Sequence, residues 1–352
     1  MLAEYFNLLQ DTFSKAATET IQHSISVAGK NVNLRFANSR LASKLLPALA
    51  HLDEAIGNQT DLTVSIWDYK SSGIPLPKSP SFKGDFTKLD KGIGYNMRYS
   101  DIHKPRFIYV PTGLGFMCLF DPISKHAFYW YPDVEALPYY ERGAPMHTLF
   151  DWWLASQGML LTHAAAIGNH DGGVLIVGKG GQGKSTTAIS SLWSDGLYYI
   201  SDDYLILENV SSPKVYSLYN TGKLDYEHVQ TKLPHLLPLL DNPLSAKEEK
   251  GLFFFNRTHR SKIKSSLQLT SAILPQVTTQ KHTTISSIKP MKLLIGLAAS
   301  TMYQSSGSNA EGLKILTKTI SDLPCYALNI GQNLDEISKS IKEIIDQHHV
   351  VY

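Results

Sequence analysis

The residues with the clearest chemical content run from Gly178 to Ser185. They read Gly-Lys-Gly-Gly-Gln-Gly-Lys-Ser and match G-x-x-x-x-G-K-[ST] at each fixed position. Glycine at 178, 180, 181 and 183 lets the backbone take positive φ and come close to a triphosphate. The amides from Gly181 to Ser185, Gln182 among them, are then expected to form an anion nest at a helix N-terminus. Lys184 offers a compact positive charge to the β- and γ-phosphates. The Ser185 hydroxyl offers a ligand to Mg²⁺, and Thr186 completes the expected nucleotide contacts. A Gly-rich turn with an incidental lysine is the bland alternative.

Two further features bear on chemistry. Ser201-Asp202-Asp203 ends a short strand-like run downstream of the glycine loop. Adjacent acids at a strand end are costly unless solvated, paired or bound to metal. One can hold Mg²⁺, and Asp203 is placed there beside Ser185; the other can take a proton from an attacking hydroxyl. The division of those two roles between Asp202 and Asp203 stays open at this point. His163 lies in an apolar run just before Ala164-Ala165-Ala166. A hairpin would carry its strand back beside the loop, where His163 could pair with an Asp of the couple. Otherwise it is a satisfied core histidine.

The surrounding pattern supplies the elements these residues need. Met159 to Ile167 and Gly172 to Val177 are apolar, strand-like runs, and the turn sequence Gly168-Asn169-His170-Asp171-Gly172-Gly173 between them predicts an antiparallel hairpin. Ala188 to Trp193 continues a helix opened by the glycine loop, and Tyr198 to Ser201 is a short strand. Asn333 is expected to cap a C-terminal helix with Glu336 as return partner, and Leu334, Ile337, Ile341, Ile344 and Ile345 form its apolar stripe. Leu323 to Leu328 reads as a strand. Lys223 to Lys250 is loosely helical, with Lys223 following a turn and facing the site.

The N-terminal half is β-rich. Leu62, Val64 and Ile66 alternate with Thr63, Ser65 and Trp67, which predicts a strand. Arg106 to Val110, Gly115 to Phe120 and Ala127 to Tyr131 are further strands, and Ser71 to Pro80 is a loop. Arg40 to Ile56 has helical spacing, with a break or kink at Pro47. Thr148 to Ser156 is a short helix whose Trp152 and Trp153 pack between two domains or in a core.

Together the loop, the Asp pair and His163 resemble the HPr kinase/phosphatase family, whose hairpin-entered P-loop is shared with phosphoenolpyruvate carboxykinases. The likeness covers Leu160 to the C-terminus. It is nearer still to the HPr-kinase-like serine kinases of bacterial biosynthetic clusters, through His163-Ala164-Ala165-Ala166, Gly183-Lys184-Ser185-Thr186, Ser201-Asp202-Asp203 and the Leu323-Pro324 strand. The resemblance implies ATP- and Mg²⁺-dependent transfer to a peptide or protein hydroxyl, as on lasso-peptide precursors. Thr186 stands where HPr kinases carry an acid, and no clear match to their signature loop is found. The resemblance therefore does not extend to phosphorolysis or to HPr as acceptor.

The chain has 352 residues, enough for about two domains. The expected architecture is mixed α/β: a β-rich accessory domain over 1–150, possessing the acceptor-selecting role, then a P-loop kinase domain over 151–352. Lys and Arg number 33 against 31 Asp and Glu, a net charge of +2, which argues against a dedicated nucleic-acid or anionic-membrane binder. No apolar run reaches the ~18–20 residues of a membrane span. Cys118 and Cys325 form no disulfide framework, and the start Met1-Leu2-Ala3-Glu4-Tyr5 lacks the basic residue of a secretory signal. A cytoplasmic protein fits these features, and homo-oligomerisation is left open. Arg257 and Arg260, in a basic run after Phe253-Phe254-Phe255, and Lys223 are further candidates for phosphate or substrate contact. The expected activity is that of a serine or peptide kinase. The alternatives are a small-molecule kinase and a nucleotide-binding regulator without transferase activity.

Overall fold

The computed structural model describes residues 2–53, 59–78, 86–88, 95–101, 104–110, 116–209, 212–304 and 310–348. The chain is mixed α/β and divides into two compact units, Met1–Pro47 with Asp53–Ser156, and Ala48–Leu52 with Gln157–Tyr352. No described helix is long and apolar enough to cross a membrane.

The first unit is built on a sheet of β1 (Ile21–Val27), β2 (Lys30–Phe36), β3 (Leu62–Asp68), β4 (Phe86–Lys88), β5 (Tyr95–Asp101), β6 (Lys104–Val110), β7 (Met117–Asp121) and β8 (His126–Tyr131). Side by side they run β1-β2-β3-β8-β7-β6-β5-β4. Its helices are α1 (Leu2–Ala16), α2 (Ser39–Leu45), α3 (Tyr69–Ser72), α4 (Tyr139–Gly143) and α5 (His147–Ser156). The alternation in β3 suggests one wet face, yet β3 lies between parallel β2 and β8 and Trp67 is fully buried. Phe13 of α1 meets the Trp67 ring edge-on at 6.3 Å and covers that face. Trp152 and Trp153 are buried in α5.

Two expectations change here, and parts of three lie outside the described residues. The helix expected over Arg40 to Ile56 is an α-helix only to Leu45, and a 3-10 turn over Leu46–Ala48 follows. Pro47 has no amide to continue the ladder, and residues 54–58 lie outside the described set. The loop from Ser71 begins inside α3, and Ser79 and Pro80 lie outside the described residues. So does Gly115 at the start of the expected third strand.

The second unit carries β9 (Leu160–Thr162), β10 (Ala165–Gly168), β11 (Gly173–Ile176), β12 (Tyr198–Ser201), β13 (Leu205–Asn209), β14 (Pro213–Ser217), β15 (Thr221–Asp225), β16 (Lys250–Phe254), β17 (Ser266–Val277), β18 (Thr284–Ser287) and β19 (Cys325–Ile330). Its helices are α6 (Lys184–Ser190), α7 (Tyr226–Lys232), α8 (Asn256–His259), α9 (Pro290–Gln304), α10 (Ala310–Ser321) and α11 (Asp335–Asp346). The main sheet runs β12-β10-β11-β17-β14-β13-β9, with β19 beside β17 and β18 beside β19; β15 and β16 form a separate ribbon. Long β17 joins the branches, antiparallel to β14 at its start and parallel to β11 and β19 beyond.

Strand β11 shows why the sheet is central. Val174 and Ile176 pack with Ile189 of α6 and Ile341 of α11. Leu175 and Val177 pack on the opposite face with Leu293 of α9 and Leu316 of α10. A strand buried on both faces reads as a continuous apolar run, which this one does. The expected antiparallel hairpin is present, with Gly168 opposite Gly173.

Other readings are corrected in this unit. The run Met159 to Ile167 is not one strand, because β9 pairs with β13 while β10 pairs with β11 and β12. His163 sits at the crossover. Lys223 to Lys250 starts and ends in strands, with α7 and a 3-10 turn between them. The expected capping box is not formed. Asn333 Oδ1 accepts from the Asp335 amide, while Glu336 accepts from His282 Nδ1 and the Thr283 amide, 3.0 and 2.7 Å. Four residues of the expected stripe, Ile337, Ile341, Ile344 and Ile345, are buried on α11, and half-buried Leu334 precedes it.

The hairpin offers a stability test. A Cβ on Gly168 would lie 2.2 Å from the Gly172 carbonyl oxygen and 2.7 Å from Gly173 Cα. Backbone must move to admit it, so Gly168→Ala is expected to cost ~1–3 kcal/mol, read as a lower midpoint in urea unfolding. An unchanged midpoint would show that the hairpin end is not close-packed.

Candidate active site

The glycine loop leaves β11 and enters α6. Gly181 and Gly183 have φ of 79° and 98°, a region costly for residues with a Cβ. Gly183 is also packed closely, since a Cβ there would sit 2.9 Å from Ile330 Cδ1 at the end of β19. Gly180 takes no positive φ and has open space around it; its glycine answers to no local constraint. Gln182 closes the loop from within, its Oε1 accepting from the Lys179 amide at 2.5 Å. Lys184 is buried and donates to the carbonyls of Gly178 and Lys179, 2.8 and 3.3 Å. Burial lowers its pKa, with Asp202 and Asp203 acting in the opposite sense and Lys250 of β16 reinforcing the fall.

Register brings the acids to this loop. On β10, Ala165 pairs with Ile176 of β11 and Ala166 with Ser201 of β12. The loop and the Asp pair therefore emerge at one edge of the sheet, flanking the His163 crossover. Asp202 is 1% exposed. Its Oδ2 accepts from the Lys223 amide at 3.1 Å, and the nearby Ser185 hydroxyl favours the ionised form of the carboxyl group. Its Oδ1 is buried with no partner among the described residues. Burial, then the neighbouring charge of Asp203, pushes its pKa up to about 6.

Asp203 is in a different state. Its Oδ1 lies 2.9 Å from His163 Nε2, and its Oδ2 accepts from Lys223 Nζ at 2.8 Å. Burial alone would raise its pKa, but the Lys223 charge and the His163 hydrogen bond outweigh burial and hold it far below the usual carboxylate range. A carboxylate only accepts, so Nε2 of His163 carries the proton in that bond. His163 Nδ1 is buried without a partner among the described residues, and its backbone amide donates to Thr301 Oγ1 of α9 at 3.3 Å.

Ser185 and Asp203 were expected to share a metal; Asp203 pairs with His163 and Lys223, and the Ser185 hydroxyl favours the ionised form of Asp202. Lys223 does face the site, and from an extended strand. Arg257 is not brought there; it pairs with Asp241 at 2.7 Å and lies over the Phe254 ring. Arg260 starts a separate 3-10 turn over Arg260–Lys262. Thr186 Oγ1 is 3.0 Å from His228 Nε2 of α7. His228 carried no sequence signal, since α7 lies where periodicity is weak and its partner is far along the chain.

No family model matches the chain, and no curated protein sequence matches it. Among solved structures, the HPr(Ser) kinase/phosphatase from Coxiella burnetii is similar at 12% sequence identity and a TM-score of 0.29. The overlap covers 52% of this chain and 93% of that one. Overlap this low leaves the side chains to carry any functional reading.

The Asp pair predicts an unusual pH dependence of stability. With its pKa raised, Asp202 holds its proton longer in the folded than in the unfolded protein. Its contribution is therefore full below the ordinary carboxyl range and is lost as pH rises through about 6. Asp202→Asn removes that loss. In chelator-containing buffer the variant should gain on the order of 3 kcal/mol over wild type between pH 4 and pH 8, read by urea unfolding at each pH. A pH-independent difference would contradict the raised pKa.

Proposed function

We propose that the protein is an ATP- and Mg²⁺-dependent kinase that transfers the γ-phosphoryl group to a hydroxyl, serine in particular, of a peptide or protein. The observation that carries this reading is a glycine loop whose buried lysine lies beside an acid pair, one acid with an unpartnered buried oxygen and the other paired with a lysine and a histidine.

The residues fit Mg²⁺ without forming a protein cage. Among the described residues no cluster of three or more His, Cys, Asp or Glu could hold a metal. Magnesium asks for less, commonly one or two carboxylates plus waters and substrate phosphates. Ser185 and Asp202 supply a hydroxyl and a carboxylate, and the unpartnered Asp202 Oδ1 is a lone acceptor of the kind a cation satisfies. We assign the metal to this pair in preference to Asp203. When bound, the ion would offset charge on the β- and γ-phosphates.

The remaining roles follow from exposure and charge. Lys184 would exchange its loop carbonyls for phosphate oxygens. Asp203 keeps 27% of its side chain exposed whereas Asp202 is 1% exposed, so an acceptor hydroxyl reaches Asp203. Asp203 accepts that hydroxyl's hydrogen bond and receives its proton as the new O–P bond forms and the bond to the β-phosphate oxygen breaks, leaving ADP. In a loose phosphoryl-transfer transition state the nucleophile loses its proton late, so orientation counts for more than basicity. His163 and Lys223 keep Asp203 oriented. The first unit is assigned the selection of the acceptor.

The test is transfer from γ-labelled ATP to a panel of serine-containing peptides. Wild type should label a peptide, and Lys184→Ala and Asp202→Asn should each lower the rate by ~10²–10³-fold. Full transfer by either variant would overturn the mechanism. ATP binding without label in any acceptor would point to a nucleotide sensor, and label in a free amino acid or sugar to a small-molecule kinase.

A further inference from the structure

Lys223 serves both acids at once, through its backbone amide to Asp202 and its Nζ to Asp203. Small displacements of its Cα would break one contact or the other. Yet β15, which carries it, is not in the main sheet; among the described residues it pairs with β16 alone. Something else must register this ribbon against the sheet that carries the P-loop and the Asp pair.

The residue before β15 is Asn220, fully buried. Its backbone amide and its Nδ2 both donate to the Ala48 carbonyl, 3.0 and 2.9 Å. Its Oδ1 accepts from the Asn256 amide at 3.2 Å, and its carbonyl accepts from the Phe255 amide at 3.1 Å. His51 stands beside it, with Nδ1 3.5 Å from Asn220 Nδ2 and Nε2 2.7 Å from the Ser217 hydroxyl. Ser217 closes β14 of the main sheet. The strap Ala48–Leu52 thus joins the start of the ribbon to the end of a main-sheet strand, although its sequence belongs to the N-terminal half.

The chemistry of the socket is that of a fixed spacer. His51 is 2% exposed, and burial first, then the charge of Arg260, holds its pKa down to about 3. It is a neutral imidazole, with one acceptor and one donor nitrogen. Nδ1 accepts from Asn220, so Nε2 carries the proton and donates to Ser217. Two other contacts grip the same stretch. Tyr199 of β12 donates to the Thr221 carbonyl at 2.6 Å, and a Cβ on Gly222 would lie 2.5 Å from the Phe255 ring.

We infer that Asn220, held by the Ala48–Leu52 strap through His51, is a positioning residue that sets Lys223 against Asp202 and Asp203. The inference rests on the kinase reading for its effect on turnover. It acts through Lys223, whereas the glycine loop is held chiefly by its own bonds between β11 and α6, so phosphoryl transfer should suffer more than nucleotide affinity.

The test uses the full chain with Asn220→Ala and with His51→Leu, which removes the hydrogen bonds and keeps an apolar side chain in the socket. Each should lower kcat by ~10–100-fold while ATP affinity stays within ~2-fold of wild type. Combining either with Lys223→Met should add little, because residues acting as one unit are not additive. His51→Gln, which can still bond Ser217, should recover part of the rate. A second readout needs no activity: in ¹⁵N-histidine-labelled protein, Asn220→Ala should move the His163 Nε2 resonance toward its position in Lys223→Met. Losses that add independently, loss of ATP affinity in step with kcat, or an unmoved His163 resonance would each overturn the inference. If Asn220→Ala does not fold, His51→Leu decides the matter by the same criteria. If wild type transfers no phosphate, the kinase reading fails while the resonance still tests the positioning.

Discussion

Two carboxyl groups on consecutive residues in a buried site cannot both be ionised without a cation between them. At an effective dielectric of ~20, two like charges ~4 Å apart repel by about 4 kcal/mol. Lys223 resolves the conflict unequally. Its ammonium charge goes to Asp203, which is held ionised, and only its amide goes to Asp202, whose pKa is pushed up to about 6. The couple therefore contains one anion at all ordinary pH and one group that ionises only as pH rises through about 6. The proposed division of labour between metal binding and acceptor orientation rests on that inequality.

The sheet exists, for this purpose, to bring three short segments to one edge. Strand β10 separates β11 from β12, so the P-loop strand and the acidic strand are ~10 Å apart. That distance lies within reach of Lys184 and Ser185 on one side and of the Asp carboxylates on the other. The break between β9 and β10 places His163 in the gap. A continuous strand would have left it within one ladder, on one face, with no route to Asp203. Apolar helices on both faces make the sheet rigid enough to hold these positions. The added ribbon of β15 and β16 then brings in the cation from outside the sheet.

Much of this was legible because it is local. The G-x-x-x-x-G-K-S spacing, the strand before it and the helix after it lie within about twenty residues of one another, and hairpin chemistry in Gly168 to Gly173 dictates how the chain enters. The Asp pair is likewise read from its own strand end, and the stripe of α11 from its period. What could not be read is partnership across long separations. His51 meets Ser217 at a separation of 166 residues and Thr186 meets His228 at 42. No propensity marks such pairs. The capping box failed for the same reason, because Glu336 found a better partner in His282 and Thr283 than in its own helix start. Arg257, a candidate for phosphate contact by its charge, pairs with Asp241, sixteen residues before it.

The amino-acid sequence by itself determined the glycine loop with its lysine and serine, the presence of two adjacent acids and a histidine able to serve them, and a mixed α/β chain of about two domains. These depend on residue type and short spacing, which the chain carries with it into any fold. Tertiary structure alone decided which acid is buried and which is ionised, because those properties come from desolvation and from the placement of a single lysine on a separate ribbon. It also decided that five residues of the N-terminal half, Ala48–Leu52, belong to the unit that holds the site. Their hydrogen bonds to Asn220 are made to backbone and buried polar groups, and such bonds form wherever the fold leaves a donor unpaired.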